Sequence, residues 1–276
     1  MVVPADVVHA ARAGNFAVVQ AYFASGQRDV DDDCEAGLGM TMPVPLLHVA
    51  LAPSGPLTMV DQDGKYRIVE MLLARGADPN GRSDWGYVPL GYPLSNCHVD
   101  GAPRMIKFLL ASGSDARVMG YERSGITISF VGSLLTCSAS ALIPAPRVAR
   151  PFENHLAVLK MLLRAGASLD NCKAGGLHGP VPKDAEACIQ DAETHAHYGS
   201  RVAADADWVA MKAIVAGVRR EGSWKAYCRV EHKRFLRLRS LLVRGRAETT
   251  DARVERILRL PNGPCWKVLA FYREAA

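Results

Sequence analysis

The same nine-residue pattern of apolar and polar positions occurs at four places in the chain. In each copy the first, second, fifth and sixth positions are apolar and the last is glycine; the copies are residues 18–26, 68–76, 105–113 and 158–166. Apolar residues at this spacing share one face of an α-helix, and a terminal glycine supplies the left-handed residue that commonly ends a helix. The pattern therefore predicts four amphipathic helices that stop at Gly26, Gly76, Gly113 and Gly166.

A shorter helical stretch precedes these helices, most clearly at residues 7–14 and 45–51. Short polar residues follow the glycines, as at residues 77–80 and 114–115, and such residues favour turns. The repeating unit is therefore predicted to be a pair of helices and a turn, with Leu72, Leu109 and Leu162 buried between neighbouring units.

These features resemble ankyrin repeats, whose units combine a T-P-L-H-x-A helix, a second helix ending in LLxxGAD and a hairpin finger. Residues 64–80 and 154–168 follow the second-helix pattern almost throughout, and the resemblance covers about residues 5–172. His48 is the only histidine at the T-P-L-H position, and Thr127 is the only threonine. The resemblance implies an all-α fold: a solenoid of about four irregular helix pairs with hairpin or loop fingers.

The spacing of the helix-ending glycines departs from a regular array. They lie 50, 37 and 53 residues apart, whereas ankyrin repeats recur about every 33 residues. Residues 52–63 and 134–153 are rich in Pro, Gly or Ser, which is typical of loops. We therefore expect loop insertions at these two places and a less regular stack.

The resemblance also implies where a partner would bind, because ankyrin stacks use the concave side made by finger tips and first helices. The matching residues are Arg82, Asp84, Trp85, Tyr87 and Tyr92 of the third repeat, with Tyr121 and Arg123 of the next finger. Trp, Tyr and Arg carry much of the energy of protein interfaces. The implied function is a non-enzymatic scaffold or adaptor that binds another protein; in the alternative interpretation Trp85 packs on its own finger.

The C-terminal third has a different composition. Residues 173–200 are interpreted as a connector, in which the chain becomes helical again from Asp184, and residues 201–276 as a basic helical cap, with helices predicted over 207–220, 223–244 and 265–273. In the second of these helices a stripe is expected to face the core: Trp224, Tyr227, Cys228, Phe235, Leu238 and Leu242. Such a cap would cover the open apolar end of a repeat stack.

Charge is unevenly distributed along the chain. Residues 219–259 contain 13 lysines and arginines against 5 acidic residues, a net charge of +8, which leaves −3 for the rest of a chain whose formal charge is +5. A basic segment of this kind can attract an acidic partner, including nucleic acid. Because the segment also carries an apolar stripe, the sequence favours a solvated cap over a nucleic-acid contact.

The end of the chain permits an alternative function. A helix at residues 236–243, a Leu-Pro turn at 260–264 and a helix at 265–273 are similar in outline to a SOCS box, and loosely to the start of an F-box. The first helix lacks the Leu-x-x-x-Cys core, and the turn has one residue too many. This resemblance would make the chain a substrate receptor of a ubiquitin ligase.

Motifs for catalysis or metal binding are weak. The sequence has no Gly-rich phosphate loop, no GxSxG and no HExxH, so we expect no enzyme activity, no cofactor and no small-molecule substrate. A zinc site would need ligands from Cys172, His178, Cys188, His195 and His197, whose spacing does not match the usual pairs. The acidic run at residues 29–35 lacks EF-hand spacing and is interpreted as a solvated finger or an acidic contact point, so we expect no metal.

The cysteines and the first residues indicate a compartment. The seven cysteines are widely spaced and include no CxxC, and residues 1–6 do not fit a secretory signal. No stretch is long and apolar enough to span a bilayer. We expect reduced thiols in the cytoplasm or, alternatively, the nucleus, and no membrane partner.

Overall fold

The computed structural model describes residues 2–26, 29–31, 33–34, 44–52, 62–83, 86–97, 101–123, 126–137, 152–174, 183–194, 199–246, 248, 251–261 and 263–264. These residues are mostly helical, which confirms the predicted all-α class. The helices are α1 (Ala5–Ala13), α2 (Phe16–Ala24), α3 (Leu46–Leu51), α4 (Gln62–Ala74), α5 (Gly91–Ser95), α6 (Ala102–Ala111), α7 (Phe130–Cys137), α8 (Glu153–Arg164), α9 (Ala185–Glu193), α10 (Gly199–Ala204), α11 (Ala206–Glu221), α12 (Trp224–Val243) and α13 (Ala252–Leu258). The short strands are β1 (Asp33–Cys34), β2 (Val44–Pro45), β3 (Met119–Arg123), β4 (Ile126–Ser129) and β5 (Lys173–Ala174).

The helices up to α10 pack in consecutive pairs. Within each pair α1 contacts α2, α3 contacts α4, α5 contacts α6, α7 contacts α8, and α9 contacts α10. Between pairs, α1, α3, α5, α7 and α9 each contact the next member of that series, while α2 contacts α4 and α6 contacts α8. The second helices α4 and α6 meet through the rings of Tyr66 and Phe108, whose centroids are 4.8 Å apart. The first helix of each pair thus lies beside the first helix of the next.

The predicted left-handed glycine is confirmed at three of the four helix ends. Gly76, Gly113 and Gly166 have φ angles of 97°, 100° and 94°, a left-handed conformation that favours glycine. After α4 the amides of Gly76 and Ala77 donate to the carbonyls of Leu73 and Leu72, and equivalent pairs of hydrogen bonds close α6 and α8. These bonds satisfy carbonyls that the end of a helix leaves without partners.

The helix end before Gly26 is confirmed, but the left-handed glycine expected there is wrong. Gly26 is not among the glycines with positive φ, although α2 ends at Ala24, two residues before it. The Ser25 hydroxyl donates to the Tyr22 carbonyl at 2.8 Å, and the Ser25 amide donates to Ala21. The serine therefore satisfies the last carbonyls without a left-handed residue.

The recurring leucines are buried as predicted. Leu72, Leu109 and Leu162 are each 0% exposed. Ile68, Ile106 and Val158, one helical turn earlier, are also fully buried. The apolar face of each of α4, α6 and α8 therefore faces the core.

The turns after α4 and α6 are joined by the side chains of Asn80 and Ser114. Asn80 donates from Nδ2 to the Gly113 carbonyl at 3.0 Å and accepts at Oδ1 from the Asp115 amide at 2.8 Å. The Ser114 hydroxyl donates to the Pro79 carbonyl at 3.3 Å. These bonds hold two equivalent turns in register.

The strands form two small antiparallel sheets between helix pairs. β1 pairs with β2, and the second sheet has the order β3-β4-β5. The predicted insertion at 134–153 begins too early, because α7 extends to Cys137 and both Leu134 and Leu135 are 0% exposed. These leucines continue the apolar face of α7, so the helix continues through them.

The stretch at 173–200, interpreted from the sequence as a connector, holds the packed helix α9. Asp184 caps α9 by accepting from the Ala187 amide, and α9 contacts α7. Trp208, in the first turn of α11, is 0% exposed; its ring lies 5.6 Å from Phe152, and its Nε1 donates to Glu193 at 3.0 Å. The start of α11 therefore covers apolar side chains beside α8 and α9.

The chain forms two compact units that divide within α11, between Ala213 and Ile214. We call residues 1–213 the first unit and residues 214–276 the second unit. None of the helices in the described part of the chain is both long and apolar enough to cross a membrane.

The predicted helices over 207–220 and 223–244 are confirmed as α11 and α12. The prediction that Leu238 faces a core is wrong, because Leu238 is 43% exposed. Arg239 is turned inward instead and donates to the carbonyls of Leu258 and Leu260 at 3.1 and 2.6 Å. The predicted helix at 265–273, on which the SOCS-box-like or F-box-like alternative depends, lies outside the described residues.

Candidate partner-binding surface

The loop between α4 and α5 forms a small finger, which holds most of the predicted contact residues. At its base the Ser83 amide donates to the Tyr87 carbonyl at 2.9 Å, and the Gly86 amide donates to the Ser83 carbonyl at 2.7 Å. The Tyr87 amide also donates to the Ser83 hydroxyl at 3.2 Å. Asp84 and Trp85, which the sequence places at the finger tip, lie outside the described residues.

Arg82 connects this finger to the next. Its Nη1 donates to the Gly86 carbonyl at 3.1 Å and its Nη2 to the Met119 carbonyl at 3.0 Å. Met119 is the first residue of β3, the strand that contains Tyr121 and Arg123. The structure therefore brings the backbone of both fingers together at Arg82, whose side chain is exposed; the side chains of Tyr121 and Arg123 are not described.

Tyr87 and Tyr92 form an aromatic cluster with His48. The rings of Tyr87 and Tyr92 lie 5.6 Å apart, and the Tyr92 ring lies 5.6 Å from the His48 imidazole in an edge-to-face arrangement. The Tyr92 hydroxyl is 3.3 Å from His48 Nδ1. Burial raises the pKa of Tyr92 to about 12, against an opposing hydrogen bond with Ser83, so Tyr92 stays neutral.

His48 is the buried centre of this cluster. It lies in α3 and is 1% exposed. Burial lowers the pKa of His48 to about 4, although a hydrogen bond with the backbone of Gly81 and the charge of Asp78 oppose the shift. A neutral imidazole therefore joins α3 to both the finger base and α5.

A second buried titratable group lies at the start of α4. Lys65 is 8% exposed and donates from Nζ to the Ala52 carbonyl at 2.7 Å. Burial, and then the nearby charge of Arg12, lowers the pKa of Lys65 to about 8. Sequence reasoning missed this residue, although its spacing to Ile68 and Leu72 places it on the buried face.

The zinc candidates are only partly described. Cys172 and Cys188 are buried thiols, and burial raises their pKa values to about 12 and about 11. His178, His195 and His197 lie outside the described residues. Among those that are described, no group of three His, Cys, Asp or Glu side chains could hold a metal ion.

The acidic run at 29–35 is described only in part. Asp29 and Asp31 are exposed, and the Asp31 amide donates to Asp29 Oδ1 at 3.0 Å. This is a local turn close to the start of the β1–β2 hairpin.

No protein-family model matches the sequence, and no curated protein matches it.

Sequence reasoning placed Arg82, Tyr87 and Tyr92 on one surface but did not foresee what holds them. Their spacing in the chain gives no sign that Arg82 reaches β3 or that Tyr92 meets His48, 44 residues away. The sequence contained one sign of this contact, because His48 occupies the T-P-L-H position of the ankyrin pattern that the sequence resembles.

Proposed function

We propose that this chain is an ankyrin-repeat scaffold that binds another protein through the surface around the α4–α5 finger and β3. The observation that carries the proposal is the recurrence of one structural unit. The helices α4, α6 and α8 share a buried leucine, a left-handed glycine and the same closing pair of hydrogen bonds. Their partner helices α3, α5 and α7 contact one another in series.

The base of the finger supports protein binding because hydrogen bonds hold it in place. Arg82 holds the finger base against Met119, and Tyr92 is held by His48. A loop whose base is fixed before binding loses less conformational entropy when a partner docks. Within the proposal, Tyr92 acts mainly by holding the finger, whereas half-buried Tyr87 and the tip residues Asp84 and Trp85 contact the partner with Tyr121 and Arg123.

The proposed location is the cytoplasm or, alternatively, the nucleus. Cys34, Cys97, Cys172, Cys188 and Cys228 are free thiols, which is usual for proteins kept in a reducing compartment. No catalytic role, cofactor or membrane partner is part of the proposal.

The experiment compares partner capture by the parent chain and by a Trp85→Ala/Tyr87→Ala variant. Proteins that the parent enriches from cells that express it are identified, and the strongest is produced pure for calorimetric titration. Because truncating a central aromatic contact costs about 2 kcal/mol or more, the variant should bind at least about tenfold more weakly.

The matched control is Glu70→Ala/Lys107→Ala, which changes two exposed side chains of α4 and α6. It should bind like the parent. A purified partner that binds parent and finger variant equally would show that the contact surface lies elsewhere.

A further inference from the structure

One side of α12 presents a row of positive charges. This 20-residue helix contains six lysines and arginines and one glutamate. Lys225, Arg229, Lys233 and Arg237 follow one another at intervals of four residues and are all exposed. Residues four apart lie one above the other on a helix, so the row is about 18 Å long with about 6 Å between neighbours. We call these four residues the basic row.

The basic row is electrostatically unbalanced. No carboxylate in the described part of the chain pairs with any of its four side chains. Like charges four residues apart repel each other and destabilise a helix. The row therefore costs folding stability, and an anion bound along it would remove that repulsion.

The residue types in the basic row indicate which kind of anion it binds. A protein interface of useful affinity generally needs buried aromatic or apolar anchors, and exposed ion pairs contribute little. Binding to a nucleic-acid backbone differs, because each neutralised phosphate releases counterions and charge alone provides affinity. None of the four residues of the basic row is aromatic, so the row offers no ring on which an unpaired base could stack. This favours a duplex over a single strand.

A membrane surface fits less well. Helices that lie on membranes insert a broad apolar face. In α12 Leu242 is 5% exposed, and its exposed large apolar side chains, among those described, are Leu238 and Val243. The apolar surface of these two side chains is too small to insert α12 into a membrane.

We infer that the basic row binds the phosphate backbone of a nucleic-acid duplex, without reading its sequence. Lys225, Arg229, Lys233 and Arg237 each contact a phosphate, and none of them is a residue of the finger. The inference goes beyond the proposed scaffold function and does not depend on it.

The test measures binding of the full chain to a fluorescent DNA duplex of about 20 base pairs by anisotropy. With about four phosphates neutralised, the logarithm of affinity should fall against the logarithm of salt concentration with a slope of about −3 to −4, or roughly 100-fold between 50 and 200 mM. Two unrelated duplex sequences should bind equally. The Trp85→Ala/Tyr87→Ala variant should bind like the parent, so this inference and the scaffold proposal can fail separately.

Matched charge variants locate the contact. Arg229→Gln/Lys233→Gln should reduce the magnitude of the slope by about 2, whereas Lys107→Gln/Arg201→Gln, with the same change of net charge at exposed positions of α6 and α10, should leave it unchanged. Thermal melting should show the row variant to be at least as stable as the parent, because repulsion is removed.

Several outcomes would overturn the inference. These are no duplex binding at about 50 mM salt, equal loss in both charge variants, a preference of more than about tenfold between the two sequences, or binding to vesicles of anionic lipid without binding to the duplex.

Discussion

The helices α8 and α12 end in the same way but lie in different surroundings. In α8 the amides of Gly166 and Ala167 donate to Leu163 and Leu162, and in α12 the amides of Gly245 and Arg246 donate to Leu242 and Leu241. Leu163 of α8 and its counterpart Leu242 of α12 are both buried, at 3% and 5% exposed. Leu162 is 0% exposed, whereas its counterpart Leu241 is only half-buried. The local pattern Leu-Leu-x-x-Gly thus determines the helix end, while burial depends on a neighbour.

The neighbour differs between the two units. In the first unit α8 contacts α7, which is the first helix of its own pair, and α6, which is the second helix of the preceding pair. Two helices therefore cover α8. In the second unit α12 is closely approached by α11 at Gly217, where the Tyr227 ring leaves no room for a larger residue. Away from this contact, α12 carries exposed charged side chains such as Arg229 and Lys233.

The largest expected effect comes from truncating the same residue type in both units. Leu162→Ala should lower the free energy of unfolding by about 2–5 kcal/mol, through lost apolar burial and an unfilled cavity. Leu238→Ala, at a 43% exposed position, should change it by less than about 1 kcal/mol. Urea denaturation measures both, and Leu72→Ala and Leu109→Ala should follow Leu162. Equal effects at Leu162 and Leu238 would mean that the two helices are not buried differently.

Acid should weaken the first unit through His48. Burial lowers the pKa of His48 to about 4, below its value of about 6.5 in an unfolded chain. The unfolded state therefore takes up a proton first as the pH falls, so stability present above about pH 6.5 is lost progressively towards pH 4. The loss should approach about 3 kcal/mol.

His48→Gln tests this assignment by the slope of stability against pH. The variant loses hydrogen bonds and should be less stable at neutral pH, but its stability should depend less on pH between about 4 and 6.5. His9→Gln, at an exposed position of α1, is the control and should keep the parent slope. An unchanged slope in His48→Gln would assign the acid sensitivity to another group.

The smallest expected effect is a difference in stability between two glycine variants. Gly26 and Gly76 both occupy the last position of the nine-residue pattern. An added Cβ meets no atom within 4 Å at either Gly76 or Gly26, but only Gly76 has a positive φ, of 97°. Gly76→Ala should therefore cost about 1–2 kcal/mol through backbone strain alone. Gly26→Ala should cost nothing and could stabilise the chain by up to about 1 kcal/mol through a less flexible unfolded state. Similar melting temperatures for the two variants would contradict the difference in backbone conformation.

The sequence alone was sufficient for the elements with a periodic signal. The spacing of apolar residues located α2, α4, α6, α8, α11 and α12, and the recurring glycines located the four helix ends, because both signals depend on contacts within one helical turn. Asp184 at the start of α9 is another local signal, since a carboxylate there accepts from a nearby amide. The charge pattern of α12 was also readable, because four cations at intervals of four share one side of any helix.

Tertiary structure decided everything that depends on residues distant in the chain. Whether Leu238 or Arg239 turns inward depended on carbonyls at Leu258 and Leu260. In the finger, Arg82 reaches β3, and Tyr92 meets a histidine that desolvation keeps neutral. Hydrophobic spacing cannot show such contacts, because it records which face is buried and not which polar group across the interface will satisfy it.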